Sequence, residues 1–99
     1  MLNASEIIQF LRNNKQLLKE QFHCKEIGLF GSFSRNEQKE DSDIDILIVF
    51  DEEAPDLYKI ENDLKLFLSD HFNRNVDICA KKWINPIFKP LVLSEAIYA

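Results

Sequence analysis

The stretch that decides the fold is Ser42-Asp43-Ile44-Asp45-Ile46-Leu47-Ile48-Val49-Phe50. Apart from Asp45, the residues from Ile44 onward are apolar at every position, which is typical of a central β-strand covered on both faces. The two aspartates stand at positions i and i+2, so their side chains point to one face with Cα atoms about 7 Å apart. Two like charges so placed are costly neighbours unless a cation lies between them. The stretch predicts a central strand with a candidate cation site at its start.

A second motif, Gly31-Ser32, lies just upstream of this strand. Glycine allows a ligand to approach the backbone closely, and the Ser32 hydroxyl and its neighbouring N–H groups can donate to phosphate oxygens. Residues 32–36 are predicted to begin a helix with Ser32 as its N-cap, which would direct free N–H groups at an anion. An ordinary strand-to-helix turn explains Gly-Ser equally well, so the motif gains its weight from the aspartates that follow it.

A third carboxylate is supplied by Asp77, within Val76-Asp77-Ile78. The segment between Asp45 and Asp77 is long enough for a helical crossover between two strands. Mg²⁺ is held by one or two carboxylates together with substrate phosphates, and a pair of such ions supports in-line phosphoryl displacement. The three aspartates therefore favour metal-assisted phosphoryl chemistry. An acidic strand end in solvent remains the alternative, since the sequence does not show which face Asp77 occupies.

Together, Gly28-Leu29-Phe30-Gly31-Ser32-Phe33-Ser34-Arg35 and Asp41-Ser42-Asp43-Ile44-Asp45-Ile46-Leu47-Ile48-Val49 resemble the signature of the minimal nucleotidyltransferases. These are small members of the polymerase-β-like superfamily, also described as MNT domains or MntA-type antitoxins. The resemblance covers about residues 27–78. It implies an α/β (α+β) fold with a polymerase-β-like core, in which helices flank a small mixed sheet. Residues 1–99 are expected to form a single minimal nucleotidyltransferase domain.

The resemblance also implies roles for individual residues. The catalytic residues, which would ligate two Mg²⁺ ions, are Asp43, Asp45 and Asp77. The residues expected to bind the nucleotide are Gly31, Ser32, Arg35 and Ser42. Of these, Arg35 either contacts phosphate or pairs with a carboxylate that braces the loop. Relatives often carry glycine after this arginine, whereas this chain has Asn36, which tolerates the left-handed conformation better than most residues.

The implied function is a Mg-dependent nucleotidyltransferase, more specifically a protein adenylyltransferase, that moves AMP from ATP to a hydroxyl. The acceptor implied by the resemblance is a tyrosine of a HEPN-domain toxin partner, with which the chain would assemble as an antitoxin. Two alternatives stay open: a non-catalytic module that neutralises its partner by occlusion, and a nucleotidyltransferase acting on a small molecule or RNA. Occlusion alone requires neither the three aspartates nor Gly-Ser.

The composition of the chain limits the kinds of partner that we expect for it. The chain has 99 residues, a formal net charge of −5 and 45% hydrophobic residues, which fits one small domain. The acidic balance argues against a nucleic-acid backbone as the main partner. The apolar runs are too short to span a membrane, and the N-terminus lacks a signal-peptide pattern, so a cytoplasmic protein is expected. Cys24 and Cys79 are expected to be reduced thiols.

Periodicity predicts the remaining elements. A helix is expected over residues 5–22, a strand over 27–30, and a second helix that has Pro55 in its first turn and ends near residue 72. A further strand is expected over 76–80. The apolar segment around residues 83–93 either completes the core or docks a partner. The last residues, 94–99, form a short helix, an edge strand or a docking segment. Six aromatic residues are expected in the core: Phe10, Phe22, Phe30, Phe50, Phe67 and Phe72.

Overall fold

A four-stranded mixed sheet lies at the centre of the protein in a computed structural model that describes residues 1–99. The elements are α1 (Ala4–Asn13), α2 (Lys15–Phe22), β1 (Cys24–Phe30), β2 (Ile44–Phe50), α3 (Leu57–Phe72), β3 (Val76–Ala80), a 3₁₀ turn (Lys81–Trp83), α4 (Lys89–Glu95) and β4 (Ile97–Tyr98). The strand order is β3-β2-β1-β4. The predicted mixed sheet flanked by helices is confirmed, and β2 is one of its two interior strands.

The sheet is mixed because β2 pairs in opposite senses with its two neighbours. It runs antiparallel to β1 and parallel to β3. The parallel pair needs a crossover, which α3 supplies as the sequence predicted. The two-residue strand β4 pairs antiparallel with β1 at one edge. This topology brings the start of β2 next to the start of β3.

The hydrophobic core lies between one face of the sheet and helices α1, α2 and α3. From β2 it takes Ile44, Ile46 and Ile48, which are all fully buried, and from α3 it takes Leu64 and other apolar residues. Leu47 points to the opposite face and is also buried. The prediction of a strand covered on both faces therefore holds for β2, except at its start, where the second face is open.

The N-terminal helix predicted as one element is two. The chain breaks at Asn14, which separates α1 from α2 and leaves α-helical geometry with φ −108° and ψ 18°. The Asn14 side-chain amide donates to the Phe10 carbonyl oxygen at 2.9 Å, so it competes with the backbone N–H groups for the end of α1. Asparagine side chains commonly interrupt helices in this way, and the polar stretch here offers no apolar contact to resist it.

The predicted helix after Ser32 is wrong. Residues 31–36 form consecutive turns instead, in which the Arg35 N–H donates to the Gly31 carbonyl and the Ser34 hydroxyl donates to the same oxygen at 2.8 Å. Both ends of this segment, which we call the Gly31 turn, have positive φ, 74° at Gly31 and 58° at Asn36. A left-handed residue ends helical geometry, so the segment cannot extend. The expectation that Asn36 accepts this conformation is confirmed.

The later elements follow the sequence closely. Helix α3 begins at Leu57 rather than at Pro55, because the Asp56 carboxylate accepts from the Lys59 N–H at 3.2 Å and caps the helix there. Its end at Phe72 and strand β3 agree with the predictions. The C-terminal segment forms both a short helix, α4, and an edge strand, β4. No helix of the protein has the length and apolar character required to cross a bilayer.

The aromatic residues divide between the two faces of the sheet. Phe22 is buried in the core, and Phe10, Phe50, Phe67 and Phe72 pack against it. The prediction for Phe30 is wrong: it is only half-buried, outside this cluster, and pairs in register with Asp45 on the open face. Its position follows from strand alternation, because the neighbouring Leu29 takes the core face. Cys24 and Cys79 are both free, as expected.

The packing of α3 can be tested with two leucines of the same helix. Leu64 is fully buried, whereas Leu66 is 54% exposed. We expect Leu64→Ala to lower the free energy of unfolding by about 3 kcal/mol, because it leaves a cavity in the core. The matched control Leu66→Ala should cost less than about 1 kcal/mol. Urea unfolding of both variants measures the difference, and equal losses would contradict this orientation of α3.

Candidate functional site

Three aspartates meet on the open face of the sheet, at the start of β2 and β3. Asp45 in β2 and Asp77 in β3 are direct register partners across the parallel pair. Their Cα atoms are therefore about 4.8 Å apart, the spacing of neighbouring strands. Asp43 immediately precedes β2 and, two residues before Asp45, lies on the same side. The structure thus places Asp77 on the face of the first pair, which the sequence had left open.

The three carboxylates differ in exposure. Asp43 and Asp77 are exposed, and Asp45 is half-buried. Burial, followed by the charges of Asp77 and Asp43, raises the pKa of Asp45 from 3.8 to about 6. The charge of Arg35 lowers the pKa of Asp45 but does not compensate for these effects. The negative charge of Asp45, the most buried of the three carboxylates, is therefore not balanced by positive charge within the protein.

Gly31 lies directly against Asp45. A Cβ atom at Gly31 would lie 2.9 Å from the Asp45 carboxyl carbon and closer still to one carboxylate oxygen. The positive φ of 74° at Gly31 also disfavours any side chain. Both constraints require glycine at this position. The Gly-Ser motif and the Asp-x-Asp motif, separate in sequence, therefore form one packed unit.

The Gly31 turn presents unpaired donors beside this unit. The backbone N–H groups of Ser32 and Phe33 and the Ser32 hydroxyl make no hydrogen bond within the protein. Phe33 is 1% exposed, so its side chain anchors the turn in the core. The anion-binding donors expected near Ser32 are therefore present, although they come from a turn and not from a helix.

Arg35 forms two ion pairs, with Glu37 at 3.1 Å and with Glu95 of α4 at 2.9 Å. Of the two roles considered for it, pairing with a carboxylate is the one that the structure contains. The hydrogen bonds to Glu37 and Glu95 raise the pKa of Arg35. Glu95 comes from sixty positions along the chain, and no local pattern in the sequence marked it as a partner.

Ser42 closes the loop that leads into Asp43. Its hydroxyl oxygen accepts from the Lys39 N–H at 2.8 Å, and its own N–H donates to the Lys39 carbonyl at 3.1 Å. Ser42, which was expected to bind the nucleotide, thus makes hydrogen bonds that orient its own loop. Arg74, which sequence reasoning missed, donates to three carbonyl oxygens of the same loop. A lone arginine in a helix-to-strand turn carries no motif by which to find it.

The donor set suits a hard divalent cation. Carboxylate oxygens are the ligands that Mg²⁺ prefers, and an ion beside Asp45 would relieve the repulsion that raises its pKa. No three His, Cys, Asp or Glu side chains lie close enough together to hold a metal ion by themselves. Mg²⁺ rarely uses an all-protein cage, because it keeps waters and substrate phosphates in its coordination shell. The residues present therefore fit Mg²⁺ bound jointly with a nucleotide.

The site is an open surface and not a cavity. A cavity of about 470 Å³ lies at the opposite end of the sheet, where Cys24 and Asp51 contribute to its lining. Asp51 follows the end of β2, whereas Asp45 stands near its start, about 20 Å away along the strand. Burial raises the pKa of the Cys24 thiol in that cavity to about 11, so this thiol is inert. The carboxylate face is left accessible to a large acceptor.

The sequence from residue 7 to residue 98 matches the nucleotidyltransferase domain family. The chain is also 44% identical over 99 residues to a Methanocaldococcus jannaschii protein provisionally named a protein adenylyltransferase, and the match covers 99% of each chain. The chain belongs to the nucleotidyltransferase family. A second relative, the protein adenylyltransferase MntA of Thermococcus cleftensis, is 41% identical over 98 residues, covering 99% of this nucleotidyltransferase and 97% of the relative.

Solved structures share the fold. One provisionally named a minimal nucleotidyltransferase has a TM-score of 0.78 at 29% identity, covering 97% of this chain and 95% of that chain. A crystal structure of a toxin–antitoxin with AMP-PNP has a TM-score of 0.68 at 25% identity, covering 98% and 72%. A Shewanella oneidensis complex of a tri-AMPylated HEPN toxin with an MNT antitoxin shares the fold, with a TM-score of 0.58 at 22% identity, covering 97% and 67%. The resemblance drawn from the motifs is confirmed.

The contact between the two motifs of this nucleotidyltransferase can be tested by a double-mutant cycle. We expect Gly31→Ala to lower the free energy of unfolding by about 2 kcal/mol or more, because the new methyl group meets the Asp45 carboxylate and the left-handed φ is strained. In an Asp45→Ala background, Gly31→Ala should lower the free energy of unfolding by less, since the carboxylate that the methyl group would meet is absent. Urea unfolding of the four proteins gives the coupling. Equal costs in both backgrounds would show that the two residues do not touch.

The pKa of Asp45 predicts a pH dependence of stability. Because the folded-state pKa of about 6 lies above the ordinary 3.8, the folded protein binds more protons than the unfolded chain between these values. Stability should therefore fall as pH rises through about 4 to 6. In metal-free buffer at pH 7.5, Asp45→Asn should be more stable than wild type by about 1 kcal/mol, a value reduced for partial exposure. This advantage should disappear below pH 4.

Urea unfolding of Asp45→Asn and wild type at both pH values measures this effect. The control is Asp63→Asn, which removes one exposed carboxylate from α3, away from the site. If Asp63→Asn gains as much stability as Asp45→Asn, the effect comes from the net negative charge of the protein and not from the burial of Asp45.

Proposed function

We propose that this nucleotidyltransferase is a protein adenylyltransferase that transfers AMP from ATP to a tyrosine hydroxyl of a HEPN-type toxin and thereby acts as its antitoxin. The observation that carries the proposal is the convergence of Asp43, Asp45 and Asp77 on one open face, beside the free donors of the Gly31 turn. Such a face offers carboxylates for metal ions and N–H groups for phosphates within one small area. Residues 1–99 would form a single minimal nucleotidyltransferase domain.

The nucleotide-binding roles follow from the donors on the turn. The N–H groups of Ser32 and Phe33 and the Ser32 hydroxyl would donate to oxygens of the triphosphate. Gly31, without a side chain, lets the phosphates approach the backbone. Ser42 would act indirectly, by shaping the loop that carries Asp43. Arg35 could reach a phosphate only by leaving Glu37 or Glu95.

Asp43, Asp45 and Asp77 would hold two Mg²⁺ ions, shared with the phosphates of ATP. When bound, these ions supply charge neutralisation at the triphosphate and at the attacking and leaving oxygens. The acceptor oxygen then forms a bond to the α-phosphorus as the bond to the β-phosphate oxygen breaks, and pyrophosphate leaves. The proton of the acceptor hydroxyl passes to solvent or to Asp77, the exposed carboxylate of β3. AMP remains esterified to the acceptor.

A protein acceptor fits the openness of the site. A small-molecule acceptor needs an enclosing pocket, whereas none of the three main cavities of the chain is lined by Asp43, Asp45 or Asp77. The net charge of −5 disfavours RNA. The names of similar proteins add support, since they include the protein adenylyltransferase MntA and a toxin–antitoxin with AMP-PNP. Because ATP is a cytoplasmic substrate, the protein would act in the cytoplasm, in an assembly with its toxin.

The proposal is tested by the intact mass of the toxin encoded beside this chain, after incubation with the chain, ATP and Mg²⁺. We expect the toxin to gain one or more AMP units and a proteolytic digest to place them on tyrosine. Asp43→Asn/Asp45→Asn should reduce the rate of transfer by at least about a thousandfold, since it removes both ligands at the start of β2. EDTA should have the same effect.

The matched control is Asp51→Asn/Asp63→Asn, which makes the same change of net charge away from the site and should leave transfer unchanged. If the toxin is neutralised without any gain of mass, and the Asp43→Asn/Asp45→Asn variant neutralises it equally well, the protein acts by occlusion and the proposal is wrong. Modification of serine or threonine would contradict the tyrosine acceptor alone.

A further inference from the structure

Arg74 lies at the junction of the segments that build the site. Its Nη1 atom donates to the carbonyl oxygens of Glu40 and Ser42, each at 2.8 Å, and more weakly to that of Lys39 at 3.4 Å. The guanidinium also lies over the Phe33 ring, with its central carbon 5.4 Å from the ring centroid. One side chain thus contacts both the loop before Asp43 and the buried anchor of the Gly31 turn.

The backbone of Arg74 is itself fixed by the end of α3. Asn73 adopts the left-handed conformation with φ 50° and caps the helix, and the Arg74 N–H donates to the Ser69 carbonyl at 3.3 Å. The next residue, Asn75, accepts from the Ile44 N–H at 3.0 Å. This hydrogen bond joins the first residue of β2 to the residue just before β3. The backbone at Arg74 is therefore fixed by hydrogen bonds that do not involve its side chain.

These contacts fix the residues on both sides of Asp43. Its preceding residue, Ser42, is held through its carbonyl by Arg74, and its following residue, Ile44, is held through its N–H by Asn75. Asp43 itself is exposed and has no hydrogen-bond partner of its own to fix it. Three converging carbonyl oxygens repel one another, and the guanidinium supplies the positive charge that allows them to approach. Without Arg74 the loop would lose the group that directs its carbonyls inward.

We infer that Arg74 is a positioning residue, which holds the Asp43 loop and the Gly31 turn in the arrangement that Mg²⁺ and ATP require. This inference rests on the proposed function for its catalytic consequence, but not for its structural one. We assign Arg74 no contact with the substrate, because the contacts that the structure shows for its Nη1 donors are all to the loop. It fixes Asp43, which immediately precedes β2, relative to Asp77, which lies three residues after Arg74 in β3.

The experiment compares wild type with Arg74→Met, which keeps much of the side-chain volume but has no donors, and Arg74→Lys, which keeps the charge. The control is Arg12→Met, since Arg12 is exposed on α1 and its side chain makes no hydrogen bond. Amide hydrogen exchange is followed at Ser42 and Ile44, whose N–H groups are bonded in this region, and at residues in the centre of β2. Adenylylation rates at varied Mg²⁺ and ATP concentrations complete the comparison.

We expect Arg74→Met to speed exchange at Ser42 and Ile44 at least tenfold, while the centre of β2 and the melting temperature change little. The Mg²⁺ concentration for half-maximal transfer should rise several-fold and kcat should fall at least tenfold. Arg74→Lys should recover part of each loss, and Arg12→Met should resemble wild type.

Two results would overturn the inference. Unchanged exchange at Ser42 and Ile44 in Arg74→Met would show that Arg74 does not hold the loop. Uniformly faster exchange through β2, with a large fall in the melting temperature and an unchanged Mg²⁺ requirement, would show that Arg74 only stabilises the fold. If wild type transfers no AMP, the proposed function fails, but the exchange measurement still decides whether Arg74 fixes the loop.

Discussion

Two aspartates, Asp45 and Asp77, face each other across adjacent parallel strands, and the architecture of the site follows from this like-charge pair. Asp45 is half-buried, so neither water nor a cationic side chain of the protein fully compensates its charge. The pair persists because the sheet that carries it is stabilised elsewhere, by three helices packed on the opposite face. In the proposed function, a cation bound at this pair would recover the free energy that the two aspartates cost.

The site is assembled on rigid elements, with loops added around them. Asp45 and Asp77 stand in β-strands, and Gly31 follows directly on β1, so these residues inherit the register of the sheet. The loop before Asp43 has no regular structure and depends on Ser42 and Arg74 for its shape. A catalytic constellation needs its groups held to within a fraction of an ångström, and rigid strands supply that precision more readily than loops. The side chain of Arg74 connects this loop to Phe33, the buried anchor of the Gly31 turn.

Much of this arrangement can be predicted from the sequence, because the signals are local. The apolar run of β2, the amphipathic pattern of α3 and the spacing of the aspartates each specify an element without reference to the rest of the chain. Predictions fail where a single polar side chain overrides a pattern, as Asn14 does between α1 and α2. They also fail where tertiary contact decides the conformation. The turn at Ser32 is a case, since Gly31 must fit against Asp45, a residue far from it in sequence.

Long-range partners are the part that no local pattern reveals. Arg35 is an obvious candidate residue from its place in the motif, but its partner Glu95 lies on α4, at the other end of the chain. Arg74 stands outside every motif, and only the fold brings it to the loop before Asp43. Phe30 fits a core pattern by composition, yet strand alternation turns it to the open face beside Asp45. Single residues of this kind become interpretable once strand register is known.

We propose that the fold holds the Asp45 carboxylate at a cost in free energy, and that a bound metal–nucleotide complex removes this cost. An NMR titration of the Asp45 carboxyl carbon, with and without saturating Mg²⁺ and a non-hydrolysable ATP analogue, tests it directly. We expect a pKa of about 6 in the free protein, and a fall to 3.8 or below in the complex, because a bound cation favours the charged form. A carboxyl that titrates near 3.8 in both states, or whose pKa is unmoved by Mg²⁺ and nucleotide, would contradict the claim.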